Sequence, residues 1–491
     1  MNPAEPRLLF NVENPGEWLA VYFDYDEQRT WGEMRIYDPR GKLRFSYMNV
    51  HSPRHVLIHR SRELTGYLGV PGDIEAGAWR VEFTRVPPRK FILEWEVGCG
   101  PSYLAHLLPS ASRDYWTDGC PTQKDFSLNL YDWQACLEVG RRWYKGDTHG
   151  HTVLSDGKMT PEQTMEQARK MELDFLFTTE HNLLPCSWPS SSRTLVIPGM
   201  ELTSFGRGDW NALGLTRWVD GWGADLGTGG AWNDGGMRTS EGQLRLMREV
   251  GALGAIRNIN HPLHGHFAWL YPELPLDCID TLEIWNSPTR SNRPELTERT
   301  LKLWDVLWNE GYRIPGLGGS DAHLPPTESY EEGGEKVTIG DPATCVYAER
   351  LSPNAIIQGI KAGHVYVSRG PVLDVQFSCG GQDFTCGDDL TVGLDRDEKR
   401  EVVCRLSVSG AAHCKLVVIE NGVQAEMIEL DAGEQQVIEM AFSWGERVYR
   451  WRRFEIRADD GRLLAFTNPV SYGTTKPSIS TWQDLLSKGA T

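Results

Sequence analysis

The chain has 491 residues, too many for one hydrophobic core, and its length predicts several domains. Hydrophobic residues make up 40 % and charged residues 24 %, an ordinary globular balance that argues against a disordered chain. The formal charge of −17, from 67 acidic against 50 basic residues and without any run of Lys and Arg, disfavours a nucleic-acid partner.

The opening MNPAEPRLLFNVENPGEW has no basic start followed by an apolar run. No stretch approaches the ~18–20 apolar residues that a membrane helix needs. The expectation is a cytoplasmic chain with no membrane attachment. The ten cysteines are scattered without a CxxC pair, as expected of reduced, buried thiols. So acidic a surface draws cations, and a small anionic substrate would need local metal charge to offset the field.

Residues 1–142 read as an antiparallel β-sandwich. Alternating segments such as WLAVYFDY, GEMRIYD, HVLIHR and WRVEFTRV are separated by turns that include DPRG and PGDIEAG, and FILEWEV and DFSLNLY follow.

Over 143–370 the texture changes. The apolar strands FLFTT, LVIPG, ALGL, GAIRNI, TLEIW and IPGLGG alternate with helical stretches. The clearest helix has Thr160 as N-cap, Pro161 at its first position and Gln163 completing a capping box. Met165, Ala168 and Met171 then recur at helical spacing, and the amphipathic PELTERTLKLWDVLWNEG precedes the last strand. This succession predicts a parallel α/β barrel or sheet. β-Patterning returns over 371–475, from VLDVQF to RLLAFTN, with a hairpin turn at Asn421-Gly422, and predicts a second sandwich. Residues 476–491 read as a tail.

The polar residues of the middle region fall at its strand ends. In GDTHGHTVLSDG, His149 and His151 share one face of an extended segment, with Asp156 in the loop beyond. His181 follows FLFTTE, Glu201 follows LVIPGM, His261 ends GAIRNIN, and Asp321 and His323 end IPGLGGS. An α/β barrel assembles its active site at such carboxyl ends. Imidazoles and carboxylates in that number point to bound Zn, Mn or Fe, because buried acids without cations would repel and carry heavy desolvation costs.

The ordered set HGHTVLSDG, TEHN, PGME, NHP and GSDAH resembles the PHP (polymerase and histidinol phosphatase) superfamily of metallohydrolases. Within it, LSPNAIIQGIKAGHVYVSRGP and FTNPVSYG are similar to the closing segments of the carbaryl-hydrolase-like (CehA/McbA-like) branch. The motif resemblance spans residues 143–371. It implies an α/β fold, a distorted (β/α)7 TIM-like barrel flanked by N-terminal and C-terminal β-sandwich domains, holding two or three divalent ions. By that resemblance His149, His151, Glu201 and Asp321 hold the first ion. Glu201 bridges to a second shared with His261, and Asp156, His181 and His323 hold the third. The sequence departs from the pattern at Gly208-Asp209-Trp210-Asn211, where a His is usual at the second position. Asp209 is taken as a carboxylate ligand there, which would make that ion more oxygen-bound. Glu180 stands where Asp is common.

The expected function is hydrolysis by a metal-activated hydroxide, with a small phosphoester as substrate, since clustered cations neutralise phosphate. The alternative is a carbamate, ester or amide; further rivals are an exonuclease and a non-catalytic carbohydrate-binding protein. His181 is a candidate proton donor if its ion is absent, and Arg369, in SRGP, a candidate contact for a substrate anion. Lys145 and Asn286 are additional site candidates. His264 and His266, in HPLHGHF, are expected in a solvated loop. The stretch from Thr216 to Met237, rich in Gly and Trp, is either a lid or a surface excursion. Most of the 19 tryptophans are expected to fill sandwich cores.

Overall fold

A computed structural model of the chain describes residues 7–25, 32–48, 50–83, 91–100, 112–119, 126–221, 235–391, 400–431, 433, 435–445 and 448–489. It is a mixed α/β protein, rich in sheet and with few helices. No helix among the described residues is long and apolar enough to cross a membrane.

The N-terminal strands form two antiparallel sheets. One orders Arg7–Val12, Gly77–Phe83, Glu33–Tyr37 and Leu43–Met48; the other orders His55–His59, Trp18–Tyr25 and Phe91–Gly98. Their alternating apolar faces meet, as when Phe23 of one sheet packs its ring 4.7 Å from Tyr47 of the other. The same apolar cluster continues past residue 142 into Phe175, Met200 and Trp210, so no solvent layer separates these sheets from the middle region.

In the middle region the ladders among the described residues draw two open sheets and no closed barrel. Leu195–Ile197, Phe175–Phe177 and Glu138–Asp147 pair in parallel. A second sheet orders Gly199–Ser204, Gly208–Leu213, Ile256–Ile259, Thr281–Asn286 and Gly316–Gly319. Single bridges link the two, His181 to Glu201 and Gly150 to Ala322. Pro198 stands at the first seam and cannot donate to a ladder. The expected helix is present as Pro161–Lys170, with both capping-box hydrogen bonds between Thr160 and Gln163.

The C-terminal strands include an antiparallel sheet of Gln382–Phe384, Val372–Cys379, Arg400–Ser409 and Gln435–Trp444. Others extend the middle region's own sheet, because Val365–Ser368 pairs with Leu463–Thr467 across residue 370. Asn421 and Gly422 both take the left-handed backbone of a tight hairpin. The last residues, expected as a tail, instead contain the helix Trp482–Gly489. Trp482 and Leu485 share one face and are buried against the rest of the chain, an apolar stripe too short to stand out in sequence.

Candidate metal centre

Strand ends converge on one buried cluster. His149 and His151 follow Glu138–Asp147, and Gly150 between them bridges Ala322. Glu201 and Asp209 lie on neighbouring antiparallel strands. His261 follows Ile256–Ile259, and Asp321 and His323 follow Gly316–Gly319. Asn182, His261, Ser287 and Asp321 all take positive φ, of 54°, 28°, 45° and 48°. Non-glycine residues rarely accept that backbone, and such strain concentrates at functional sites.

All nine residues expected as ligands fall in compact groups with facing ligand atoms. These are His151, Asp156, His181 and His323; His149, His151 and Asp321; Glu201, Asp209 and His261; and His149, His261 and Glu283. His149 Nε2 lies 3.2 Å from Glu201 Oε1 and 3.5 Å from Asp321 Oδ1. His151 Nε2 lies 3.2 Å from the same Asp321 oxygen. Asp156 Oδ1 sits 3.3 Å from both His181 Nε2 and His323 Nε2. His181 Nδ1 is 2.8 Å from Glu201 Oε2 and 2.6 Å from Thr203 Oγ1.

A cation fits these groups on the chemistry of the donors. His149 Nε2, both ring nitrogens of His151, Asp156 Oδ1, Glu201 Oε2 and His261 Nδ1 are buried and make no hydrogen bond of acceptable geometry. Ring nitrogens and carboxylate oxygens do approach these atoms to 2.8–3.5 Å, the shortest being His181 Nδ1 to Glu201 Oε2. In folded proteins most buried polar atoms find partners, and here six without one fall together in a single cluster. Lone pairs facing each other across a few ångströms are what an ion would satisfy.

Electrostatics points the same way. Burial lowers the His149 imidazole, but Glu283, Glu201 and Asp321 outweigh it and hold the ring well above its usual value. Burial, then the neighbouring His181 and His323, pushes His151 down to about 4. Burial and the Glu201 carboxylate push Asp209 up to about 7. Groups this close and this strongly displaced are typical of functional sites.

Glu283 belongs to none of the five sequence motifs. It is fully buried, accepts the His149 Nδ1 hydrogen at 2.9 Å, the His261 backbone amide at 2.8 Å and Asn286 Nδ2 at 3.0 Å. An acid inside the apolar strand TLEIW was the available signal, since burying one without purpose is costly. Gly319 makes room for it: a Cβ there would stand 2.4 Å from His149 Cβ and 2.7 Å from Glu283 Oε1. Glu180 lies behind the ligands, accepting from Thr152 Oγ1 at 2.6 Å and from Ser155 Oγ.

Other candidates fall differently. Arg369, expected to meet a substrate anion, is engaged by Asp341 at 2.7 and 2.8 Å and by Glu335 at 2.8 Å, so its charge is already matched. Lys145 Nζ donates to the Met171 carbonyl. Asn286 reaches the cluster through Glu283. His266 is exposed as expected, whereas His264 is buried with its ring 5.3 Å from that of His261, because its loop folds back over the strand end. Of the stretch Thr216–Met237, residues 222–234 lie outside the described residues.

No family model matches this chain, and no curated protein matches it. Among solved structures it is similar to a two-domain protein from Bacteroides vulgatus ATCC 8482 containing a predicted PHP-like metal-dependent phosphoesterase. That likeness has 17 % identity and a TM-score of 0.34, over 69 % of this chain and 98 % of that one. An amidohydrolase from Chromobacterium violaceum, solved with bound sulfate and no metal, is similar at 16 % identity and a TM-score of 0.22, over 39 % and 91 %. A CARDB domain from Pyrococcus furiosus matches 21 % of this chain and 96 % of its own length, at 15 % identity and a TM-score of 0.14. These likenesses are distant.

Proposed function

We propose that the chain is a divalent-metal-dependent hydrolase of the PHP type acting on a small phosphoester, with the two bridged sheets serving as an interrupted barrel. The observation that carries this is the convergence of buried, unsatisfied imidazole and carboxylate atoms from successive strands and the loops that follow them. Zn, Mn or Fe ions bound there would supply a coordinated water of pKa near ~7 and polarise the target oxygen.

The protein's part is orientation. Glu283 holds His149 by Nδ1, leaving Nε2 towards Glu201 and Asp321. The Asp321 carbonyl accepts from His323 Nδ1 at 2.8 Å, leaving Nε2 towards Asp156. Such outer partners fix the ring and raise its basicity as a ligand.

A phosphate is favoured by two arginines, one beside Asp321 and the other over Tyr330. Arg293 is buried, its guanidinium makes no hydrogen bond or ion pair among the described residues, and burial lowers it to about 10 against the opposing pull of Asp321. Arg290 lies over the Tyr330 ring at 3.5 Å, and the Tyr330 hydroxyl donates to the Asp321 carbonyl. In a chain of net charge −17, a buried cation without an acceptor suits an anionic substrate.

A second reading, hydrolysis of a carbamate, ester or amide, is favoured by a different observation. Phe205, Phe267 and Leu270 are exposed on the loops after Glu201 and His261, where they would suit an apolar leaving group. Assays of phosphomonoesters and aryl carbamates with added Mn²⁺ or Zn²⁺ separate the two. Turnover of carbamates alone would overturn the phosphoester reading; a protein that binds no divalent metal would overturn both.

A further inference from the structure

The candidate ligands all lie between residues 149 and 323, yet two of them are braced from the N-terminal sheets. Glu33 pairs with Met48 in the hairpin of Glu33–Tyr37 and Leu43–Met48, so Glu33 and the turn after Met48 leave the same end of that hairpin. That end abuts the cluster.

From the turn, four consecutive carbonyls of the Asp156 loop receive hydrogen bonds. Ser52 Oγ donates to Leu154 O at 2.8 Å, and the His51 amide donates to Ser155 O at 3.4 Å. His51 Nδ1 donates to Asp156 O at 2.8 Å and to Gly157 O at 3.1 Å. Glu180 holds Thr152 and Ser155 of the same loop from the inside. A loop without regular structure, tied on both sides, keeps the Asp156 carboxylate aimed at His181 and His323.

From the strand, Glu33 Oε1 accepts from Asn182 Nδ2 at 2.7 Å. Asn182 follows His181 in a left-handed backbone, and its own Oδ1 accepts the Thr203 amide at 3.0 Å. Thr203 in turn meets His181 Nδ1. Glu33 therefore acts on His181 through Asn182 and Thr203.

We infer that the N-terminal sheets are a working part of the metal centre, with Glu33, His51 and Ser52 as positioning residues for the ion held by His151, Asp156, His181 and His323. This rests on the metal-centre reading above. Among the described residues the groups around His149, Glu201 and His261 receive no hydrogen bond from His51 or Ser52, so the largest effect falls on the ion nearest Asp156.

The test uses the full chain, titrated with Mn²⁺ and followed by metal content after dialysis. His51→Ala, Ser52→Ala and Glu33→Ala are each expected to bind one ion about 10–100-fold more weakly, the usual effect of losing an outer partner, with the others weakened less. Ser52→Thr keeps the hydroxyl and Glu33→Gln keeps the acceptor oxygen, so both are expected to recover affinity. His51 is exposed, and its variant carries the test if a buried one fails to fold. Wild-type affinity at every ion, or equal weakening of all ions, would overturn the inference. Wild-type protein without any divalent ion would instead overturn the metal reading itself.

Discussion

Glu283 accepts a hydrogen bond from His149 at 2.9 Å, in a place where neither side chain is reached by solvent. Glu283→Ala is expected to release the imidazole and weaken divalent-metal affinity about 10–100-fold, with Glu283→Gln retaining an acceptor and losing less. Metal titration of both variants checks this; affinity unchanged in the alanine variant would show that the pair is structural only.

His149→Ala and Asp321→Ala are expected to remove metal and turnover together while the circular dichroism spectrum keeps its wild-type shape. Each residue touches the ligand cluster and lies outside the apolar clusters that hold the sheets. Full activity in either variant would count against the site.

The pH dependence follows from Asp209. Its carboxyl, at about 7 instead of 3.8, stays protonated in the folded metal-free chain where the unfolded chain has already ionised. Its contribution to metal-free stability therefore falls as pH rises through that window. Binding a cation needs the carboxylate, so metal uptake at pH 6 releases this proton. Calorimetric Mn²⁺ titration at pH 6 in buffers of different ionisation enthalpy is expected to show about one proton fewer released by Asp209→Asn. Equal release would remove Asp209 from the binding group.

Arg293 is expected to oppose stability and serve binding. Replacing a buried, unmatched guanidinium by an apolar side chain of similar size relieves desolvation, so Arg293→Met is expected to raise the melting temperature. The same change removes a charged donor, of about 1.5–3 kcal/mol, and is expected to lower kcat/KM for a phosphoester about tenfold or more. A variant both less stable and fully active would refute both halves.

Gly319→Ala introduces a Cβ where His149 and Glu283 already stand, so loss of metal affinity without loss of fold is expected. Wild-type metal binding in this variant would show that the two side chains can move apart freely.

Much of the candidate cluster was readable because most of its residues sit in short local motifs just beyond apolar strands, whereas Glu201 and Asp209 lie within strands. His149, His151, His181 and His323 needed no knowledge of the tertiary fold to be noticed. Glu283 did, since it lies in mid-strand and its partner is 134 positions away. The buried stacking of His264 on His261 depends on how one loop folds back, which spacing does not encode. Strand ladders were less legible than strands: Pro198 divides two segments that apolar patterning runs together, and the pairing of Val365–Ser368 with Leu463–Thr467 joins regions that composition alone sets apart. Glu33, His51 and Ser52 carry no motif at all, and only their hydrogen bonds reveal them.

The pairing across residue 370 also bears on how the molecule can be cut. Removing everything after Gly370 would strip the partner strand from Val365–Ser368 and leave the backbone groups on that side, such as the Val365 carbonyl that now accepts from the Asn468 amide, bare along an open border. Raw borders of that kind recruit other chains, so a shortened version ending there is expected to aggregate. Any minimal fragment meant to hold ions has to retain the strand Leu463–Thr467 that closes this margin.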